Sequence, residues 1–248
     1  MPAKITTIFF DLGYTLINFR GNVDRVLFSS YLALSDSLIS SGYAIDRRAY
    51  ARQYQKVISQ YYIDRDIDNI EQPLDLFVNH TLIGFGVSPA PLEITNKAIA
   101  AMFKVTESHW KVENDTHAAL AKLKQDGYRL CIISNASNTE DLTNLIDQSG
   151  LRCYFDQFII SAKEKIRKPH PKIFEIALRK MKATPDESIM VGDTLTADIL
   201  GAQRVGMRAI WITRRANRPE NNRVKKVICP DYSTNRLSKL PEIINSIK

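Results

Sequence analysis

Short apolar runs recur along the chain at residues 4–10, 128–134, 157–160, 188–192, 208–213 and 227–229. Most are rich in Ile, Val, Phe and Leu and are bounded by turn or helix signals. Continuous rather than alternating apolar runs predict strands buried on both faces, as in a parallel sheet. Helical spacing fills the intervals. Residues 116–126 end at Gly127, 139–149 end at Gly150, and 170–182 precede Thr184-Pro185-Asp186-Glu187; Gly just past a periodic segment and Pro beyond it are stop signals. Leu237, Leu240, Ile243, Ile244 and Ile247 give the last helix one apolar face. Strand and helix alternate after residue 115, which predicts a doubly wound, Rossmann-like α/β fold.

Residues 18–110 follow a different rhythm. Val23, Val26, Leu27, Tyr31, Leu34 and Leu38 form one helical stripe, and Tyr50, Tyr54, Val57, Ile58 and Tyr61 a second. Leu74, Phe77, Val78 and Leu82 form a third, and Ile94, Ala98, Ala101, Met102 and Val105 a fourth. Gly84-Phe85-Gly86 and Pro89-Ala90-Pro91 mark a break between helices. No strand pattern interrupts them, so an all-helical subdomain over 18–110 is expected inside an α/β core made of 1–17 and 111–248. Tyr50, Tyr54, Tyr61 and Tyr62 have two readings, a binding face or core. Stripes at helical spacing favour core.

Composition narrows the class. The 248 residues are 44% hydrophobic, enough to bury a core. No apolar run approaches the ~20 residues of a membrane span, and the amino terminus lacks a cleavage pattern, so a cytoplasmic protein is expected. Cys131, Cys153 and Cys229 are widely spaced and odd in number, which argues against a disulfide framework or a zinc site. The net charge is +7. Its basic residues crowd into Arg214, Arg215, Arg218, Arg223, Lys225 and Lys226. Such a patch suits a polyanion, but no stacking aromatics or nucleic-acid module accompany it. A solvated face is the expectation, with no nucleic-acid and no membrane partner.

Four clusters carry candidate chemistry. Asp11 follows the first apolar run, at the carboxyl end of a strand, where open α/β sheets bind ligands; a carboxylate there can attack phosphorus if cations offset repulsion, or merely cap a turn. Ser134 and Asn135 end the second core strand. They offer a hydroxyl and amides to an anion, or an N-cap for helix 139–149, a role Ser137 shares. Lys168 stands before Pro169-His170-Pro171, where a rigid backbone can aim an ammonium at a developing anion. Asp193 and Asp198 lie in Gly192-Asp193-Thr194-Leu195-Thr196-Ala197-Asp198, and paired carboxylates at a strand end suit Mg²⁺ or a helix cap.

Taken together and in this order, the clusters resemble the four motifs of the haloacid dehalogenase-like hydrolase superfamily, with the helical insertion where that family carries its C1-type cap. The resemblance implies Asp11 as nucleophile, Ser134 and Lys168 as catalytic partners, and Ser134, Asn135 and Lys168 as phosphate contacts. It also implies Mg²⁺ held by Asp11, the Gly13 carbonyl, Asp193 and Asp198. The expected activity is hydrolysis of a small phosphorylated metabolite through an aspartyl-phosphate. One departure stands out. Phosphatases of this family usually carry Asp two residues after the nucleophile, and here Gly13 stands in its place, followed by Tyr14. Gly13 keeps a carbonyl for the metal but loses acid–base catalysis, typically worth ~10²–10⁴-fold. Three alternatives follow. A 2-haloacid dehalogenase has Tyr at this position, although the retained Asp193 motif opposes it. A phosphonate hydrolase needs a Schiff-base lysine such as Lys56, Lys97 or Lys104. A non-catalytic phosphate-binding protein is the third. Asn18, Arg20, Tyr61 and Arg65 are candidate substrate contacts from the insertion.

Overall fold

The computed structural model describes residues 4–247. In chain order the elements are β1 (Thr7–Phe10), β2 (Ile17–Phe19), α1 (Val23–Ser40), α2 (Arg47–Asp68), α3 (Leu74–Gly84), α4 (Leu92–Glu107) and β3 (Trp110–Val112). Then come α5 (Thr116–Gln125), β4 (Arg129–Ser134), α6 (Thr139–Gln148), β5 (Gln157–Ile160), α7 (Ser161–Glu164), α8 (Pro171–Met181) and β6 (Ser188–Gly192). The carboxyl portion holds α9 (Gly201–Gln203), β7 (Arg208–Ile212), α10 (Pro219–Val224), β8 (Tyr232–Thr234) and α11 (Leu240–Ser246). Two compact units emerge. One comprises Met1–Asn18, Val112–Ala136 and Ile146–Lys248, and the other Phe19–Lys111 and Ser137–Leu145.

The first unit is an α/β fold on a six-stranded parallel sheet of order β5-β4-β1-β6-β7-β8. β1 and β6 are buried along their whole length, which is why their sequences do not alternate. Phe9 faces a core with Cys131, Ile133, Ile159, Phe174 and Met190. Phe10, its side chain on the opposite face, meets Phe155 edge-on at 6.0 Å. From β1 the chain builds outward through β4 and β5 on one side, then crosses back to β6 on the other, so the switch point of the sheet lies at the carboxyl end of β1. Register places Phe10 beside both Ile132 and Val191. Asp11 is therefore the first residue beyond the strand, and its amide still donates to the Val191 carbonyl at 2.9 Å.

Two expectations about strands need correction. Residues 227–229 are not a strand: Val227 is 80% exposed and its amide bonds back to the Val224 carbonyl. The edge strand is instead β8, paired with β7 through Ile210 and Tyr232. Its Tyr-Ser-Thr sequence is only partly buried, so it offers no apolar run to find. The short strands β2 and β3, which form a separate two-stranded sheet, likewise escaped a reading that saw only helices between 18 and 110.

The second unit is built on α1 to α4, and all four helical stripes are helices. Asn22 caps α1 by accepting from the Arg25 amide, and Asp46 caps α2 by accepting from Ala49. Tyr31, Leu34, Leu38, Tyr50, Tyr54, Ile58, Val78, Leu82 and Met102 share one core. Tyr50 and Tyr54 are completely buried, and the Tyr50 hydroxyl donates to the Val78 carbonyl at 2.9 Å. The tyrosine stripe is core, as its spacing suggested.

Candidate active site

Asp11, Lys168, Asp193 and Asp198 converge at the carboxyl edge of β1 and β6. One carboxylate oxygen from each of the three aspartates lies within 4.8 Å of the other two. The Lys168 ammonium, 2% exposed, bridges two of them: it donates to Asp11 Oδ1 at 2.8 Å and to Asp198 Oδ1 at 2.6 Å. Burial alone pushes a lysine down, but the Asp11 and Asp198 charges outweigh it and hold the Lys168 ammonium above its ordinary range. Its backbone is fixed by Asn135, whose side chain accepts from the Lys168 amide at 2.8 Å and donates to the Lys168 carbonyl at 2.9 Å.

Asp198 is aimed by its own helical turn, Leu195–Leu200. Its Oδ2 accepts from the Thr194 amide at 2.9 Å, and its amide donates to the Thr194 carbonyl at 2.8 Å. Asp198 does not cap a helix: the cap position of this segment is Thr194, which makes no side-chain cap bond, and Asp198 lies inside the segment. Gly192 makes the approach possible, because a Cβ there would sit 2.3–2.4 Å from the Asp198 carboxyl group. A Cβ at Gly201 would meet the Phe174 ring at 2.7 Å and Pro169 Cα at 3.2 Å. Small residues thus let the Lys168 loop and the Asp198 turn close on the strand ends.

Burial and the neighbouring carboxylates Asp11 and Asp198 raise Asp193 well above the carboxylate range, against the pull of Arg218 and Lys168. Burial pushes Asp198 up to about 6, against the Lys168 charge. Three carboxylates and two cations leave a formal deficit of one positive charge in a buried site. An all-oxygen donor set with excess negative charge fits a hard divalent cation such as Mg²⁺.

Several residues here were not predicted from sequence. Thr15 Oγ1 lies 3.2 Å from Asp11 Oδ2 and 3.4 Å from Asp193 Oδ1, and its one proton serves either acceptor. It is brought there by a turn in which Tyr14 takes φ 60° and its amide donates to the Ile17 carbonyl, while Gly13 bridges to Ile17. Arg218 Nη2 is hydrogen-bonded to Asp193 Oδ2, and its guanidinium lies 4.8 Å from the Tyr14 ring centroid. The Asp193 carbonyl receives Trp211 Nε1 and Asn221 Nδ2, both at 2.9 Å. Asn221, 1% exposed, also accepts from the Leu195 amide at 2.8 Å. The signal for Thr15 was its spacing four residues beyond Asp11. Nothing in the sequence distinguished Arg218 or Asn221 from neighbouring surface residues.

Ser134 is buried at the end of β4, the strand beside β1. Neither it nor Asn135 caps α6; Asn138 does, accepting from the Asp141 amide at 2.9 Å. Within the helical unit, Ser137 Oγ accepts from Arg65 at 2.7 Å, and the Arg65 guanidinium lies 4.0 Å from the Tyr62 ring centroid. The Tyr61 hydroxyl donates to Glu71 at 2.9 Å. Arg20 and Asn18 flank the unit boundary. The basic segment is partly neutralised: Arg214 makes two bonds to Asp115, at 2.7 and 2.8 Å, and Arg215 one to Glu113 at 2.7 Å.

A family model for haloacid dehalogenase-like hydrolases matches residues 5–206. The chain belongs to that family. Its sequence is 28% identical to glyceraldehyde 3-phosphate phosphatase of Pyrococcus furiosus over 210 residues, 84% of this chain and 80% of that protein. The fold is similar to that of a HAD phosphatase from Thermococcus onnurineus, with TM-score 0.66, 26% identity and coverage of 97% and 98% of the two chains. It is also similar to a 2-haloacid dehalogenase from Pseudomonas syringae, with TM-score 0.68 and 23% identity, covering 97% of this chain and 98% of that one. The second likeness concerns the fold alone, which phosphatase and dehalogenase share. The chain is thus a hydrolase of this family, and among the described residues no helix is long and apolar enough to cross a membrane.

Proposed function

We propose that the protein is a Mg²⁺-dependent phosphoric monoester hydrolase acting on a small phosphorylated metabolite, with Asp11 as nucleophile. The observation that carries this reading is the placement of the Asp11 carboxylate 2.8 Å from a buried ammonium and beside two further carboxylates. A dehalogenase that works without metal has no use for that acidic excess. The phosphatase likeness over 84% of the chain supports the same choice.

In this mechanism an Asp11 oxygen forms a bond to phosphorus while the bond to the ester oxygen breaks. Thr15 and Lys168 hold the Asp11 oxygens in place, so little reorganisation of the carboxylate precedes attack. Lys168, with Ser134 and Asn135, stabilises charge on the phosphoryl group. Gly13 carries no acid, so the departing oxygen takes its proton from solvent, which favours good leaving groups. Water then attacks phosphorus, the bond to Asp11 breaks, and phosphate departs with the carboxylate restored. Asp11, the Gly13 carbonyl and Asp193 would hold the ion, with Asp198 supporting from behind because a backbone amide, which cannot move aside as a side chain can, holds one of its oxygens. When bound, Mg²⁺ supplies charge neutralisation for the phosphoryl oxygens. A cytoplasmic location fits this chemistry and the free thiols at Cys153 and Cys229.

The test is a panel of phosphorylated metabolites, triose phosphates first, assayed with Mg²⁺ and with chelator, on the natural chain and on Asp11→Asn. Mg²⁺-dependent phosphate release that Asp11→Asn lowers by ~10³-fold or more is expected. Turnover of 2-haloacids in chelator, or undiminished phosphate release by Asp11→Asn, would overturn the proposal.

A further inference from the structure

We infer that Arg218 is the built-in counter-ion of Asp193 and sets the divalent-cation affinity of the site, yielding Asp193 when the ion enters. This rests on the metal-site reading above. All six oxygens of the three aspartates accept a hydrogen bond. Asp11 is held by Lys168 and Thr15, Asp198 by Lys168 and the Thr194 amide, and Asp193 by Arg218 and the Thr194 hydroxyl, with Thr15 shared between Asp11 and Asp193. The donors differ in how easily they can leave. Lys168 is buried and serves two carboxylates at once, so withdrawing it exposes both. The Thr194 amide is backbone. Thr15 is a neutral hydroxyl at 3.2 and 3.4 Å, and its departure releases no charge.

Arg218 alone combines a full charge, a single carboxylate of the trio as partner and a partly exposed position, with 24% of its side chain accessible. It also has somewhere to go. Its Nε lies 3.2 Å from Glu220, which is half exposed, and its guanidinium rests on the Tyr14 ring. Its further contact, from Nη2 to the Thr194 hydroxyl at 3.3 Å, is to a neutral group. The backbone that carries Arg218 stays in place, because Asn221 locks α10 onto the Asp193 carbonyl and the Leu195 amide. The exchange is therefore confined to one side chain. A divalent ion must replace this ion pair, so the pair opposes binding through mass action and like-charge repulsion.

The experiment titrates Mg²⁺ calorimetrically into the natural chain and into Arg218→Gln, with far-UV circular dichroism melts of both in chelator and in Mg²⁺. No substrate is needed. Arg218→Gln should bind Mg²⁺ ~10-fold more tightly, the scale of one removed charge beside a carboxylate. Its melting temperature should drop in chelator and recover with Mg²⁺, giving a larger metal-induced shift than the natural chain shows. Unchanged or weaker Mg²⁺ binding by Arg218→Gln, with the natural chain binding normally, overturns the role of Arg218 and leaves the metal site standing. Failure of the natural chain to bind Mg²⁺ overturns both. If Arg218→Gln folds only with Mg²⁺, the inference holds. If it folds in neither condition, Arg218 is a structural residue and the inference fails.

Discussion

The cores of the two units treat buried polarity in opposite ways. In the helical unit, hydroxyls are scattered singly through an aromatic interior, and the Tyr54 hydroxyl is completely buried with no hydrogen-bond partner among the described residues. At the carboxyl edge of the parallel sheet, three carboxylates and a lysine are packed into one place, and every carboxylate oxygen accepts a bond. A lone neutral orphan costs only a modest amount of stability. Charges cannot be left that way, so the site has to assemble complete. An orphan hydroxyl in one region and paired carboxylates in the other follow from the different cost of burying a neutral group and a charge.

Breaking the charged region should have the largest effect. Lys168→Met removes the only partner of Asp11 Oδ1 and of Asp198 Oδ1 described here. Stranding buried charge typically costs ~3–5 kcal/mol, and phosphate release should fall with it. Chemical denaturation at neutral pH measures the loss. A drop below ~1 kcal/mol would mean that the carboxylates protonate or rehydrate freely, and the contrast between the two cores would disappear.

Gly192→Ala tests the same region without changing charge. Its new methyl group would lie 2.3–2.4 Å from the Asp198 carboxyl group, so Asp198 or its turn must shift. Overpacking of this kind costs ~1–3 kcal/mol, and Mg²⁺ affinity should weaken because Asp198 loses its aim. Full retention of metal affinity would show that Asp198 contributes charge but not orientation.

The legibility of these features follows the same divide. Strands β1, β4 and β6 are apolar on both faces, so their sequences marked them, and their ends pointed to Asp11, Ser134 and Asp193 as candidates. Lys168 was found through its Pro-rich neighbourhood. β8 was misplaced because an edge strand needs no apolar run. Arg218 and Asn221 went unseen because they lie in a basic, polar segment whose neighbours are solvated; α10 turns Asn221 inward, and Arg218 precedes that helix at its cap position. Asn138 was passed over as the cap of α6 because three other residues before it offered the same chemistry. Local pattern reports burial well and reports partners poorly.

Between the extremes lies an acidic pair in the helical unit. Burial, followed by the charge and hydrogen bond of Glu107, pushes Asp141 up to about 7 from an ordinary value of 3.8. The folded chain therefore holds a proton there that the unfolded chain has already released. This contribution to stability is complete below about pH 4 and is lost as pH rises through about 7. Thermal melts from pH 4 to pH 8 should show that decline with or without Mg²⁺, and Asp141→Asn should flatten it. A slope that survives the substitution, or that vanishes on adding Mg²⁺, would assign it to the site carboxylates instead.

Tyr54→Phe probes the tolerant region and carries the smallest effect. The hydroxyl is desolvated on folding, and burial drives its ionisation far above the ordinary tyrosine range, so it is neutral throughout. With no partner to lose, deleting the oxygen removes a desolvation cost and leaves the ring stacked near Tyr50 and edge-on to Tyr31. Stability should rise by up to ~1 kcal/mol, with metal affinity unchanged. A loss greater than ~0.5 kcal/mol would mean that the hydroxyl is satisfied by ordered water. In that case the helical core would be as fully paired as the site, and buried polarity would no longer separate the two.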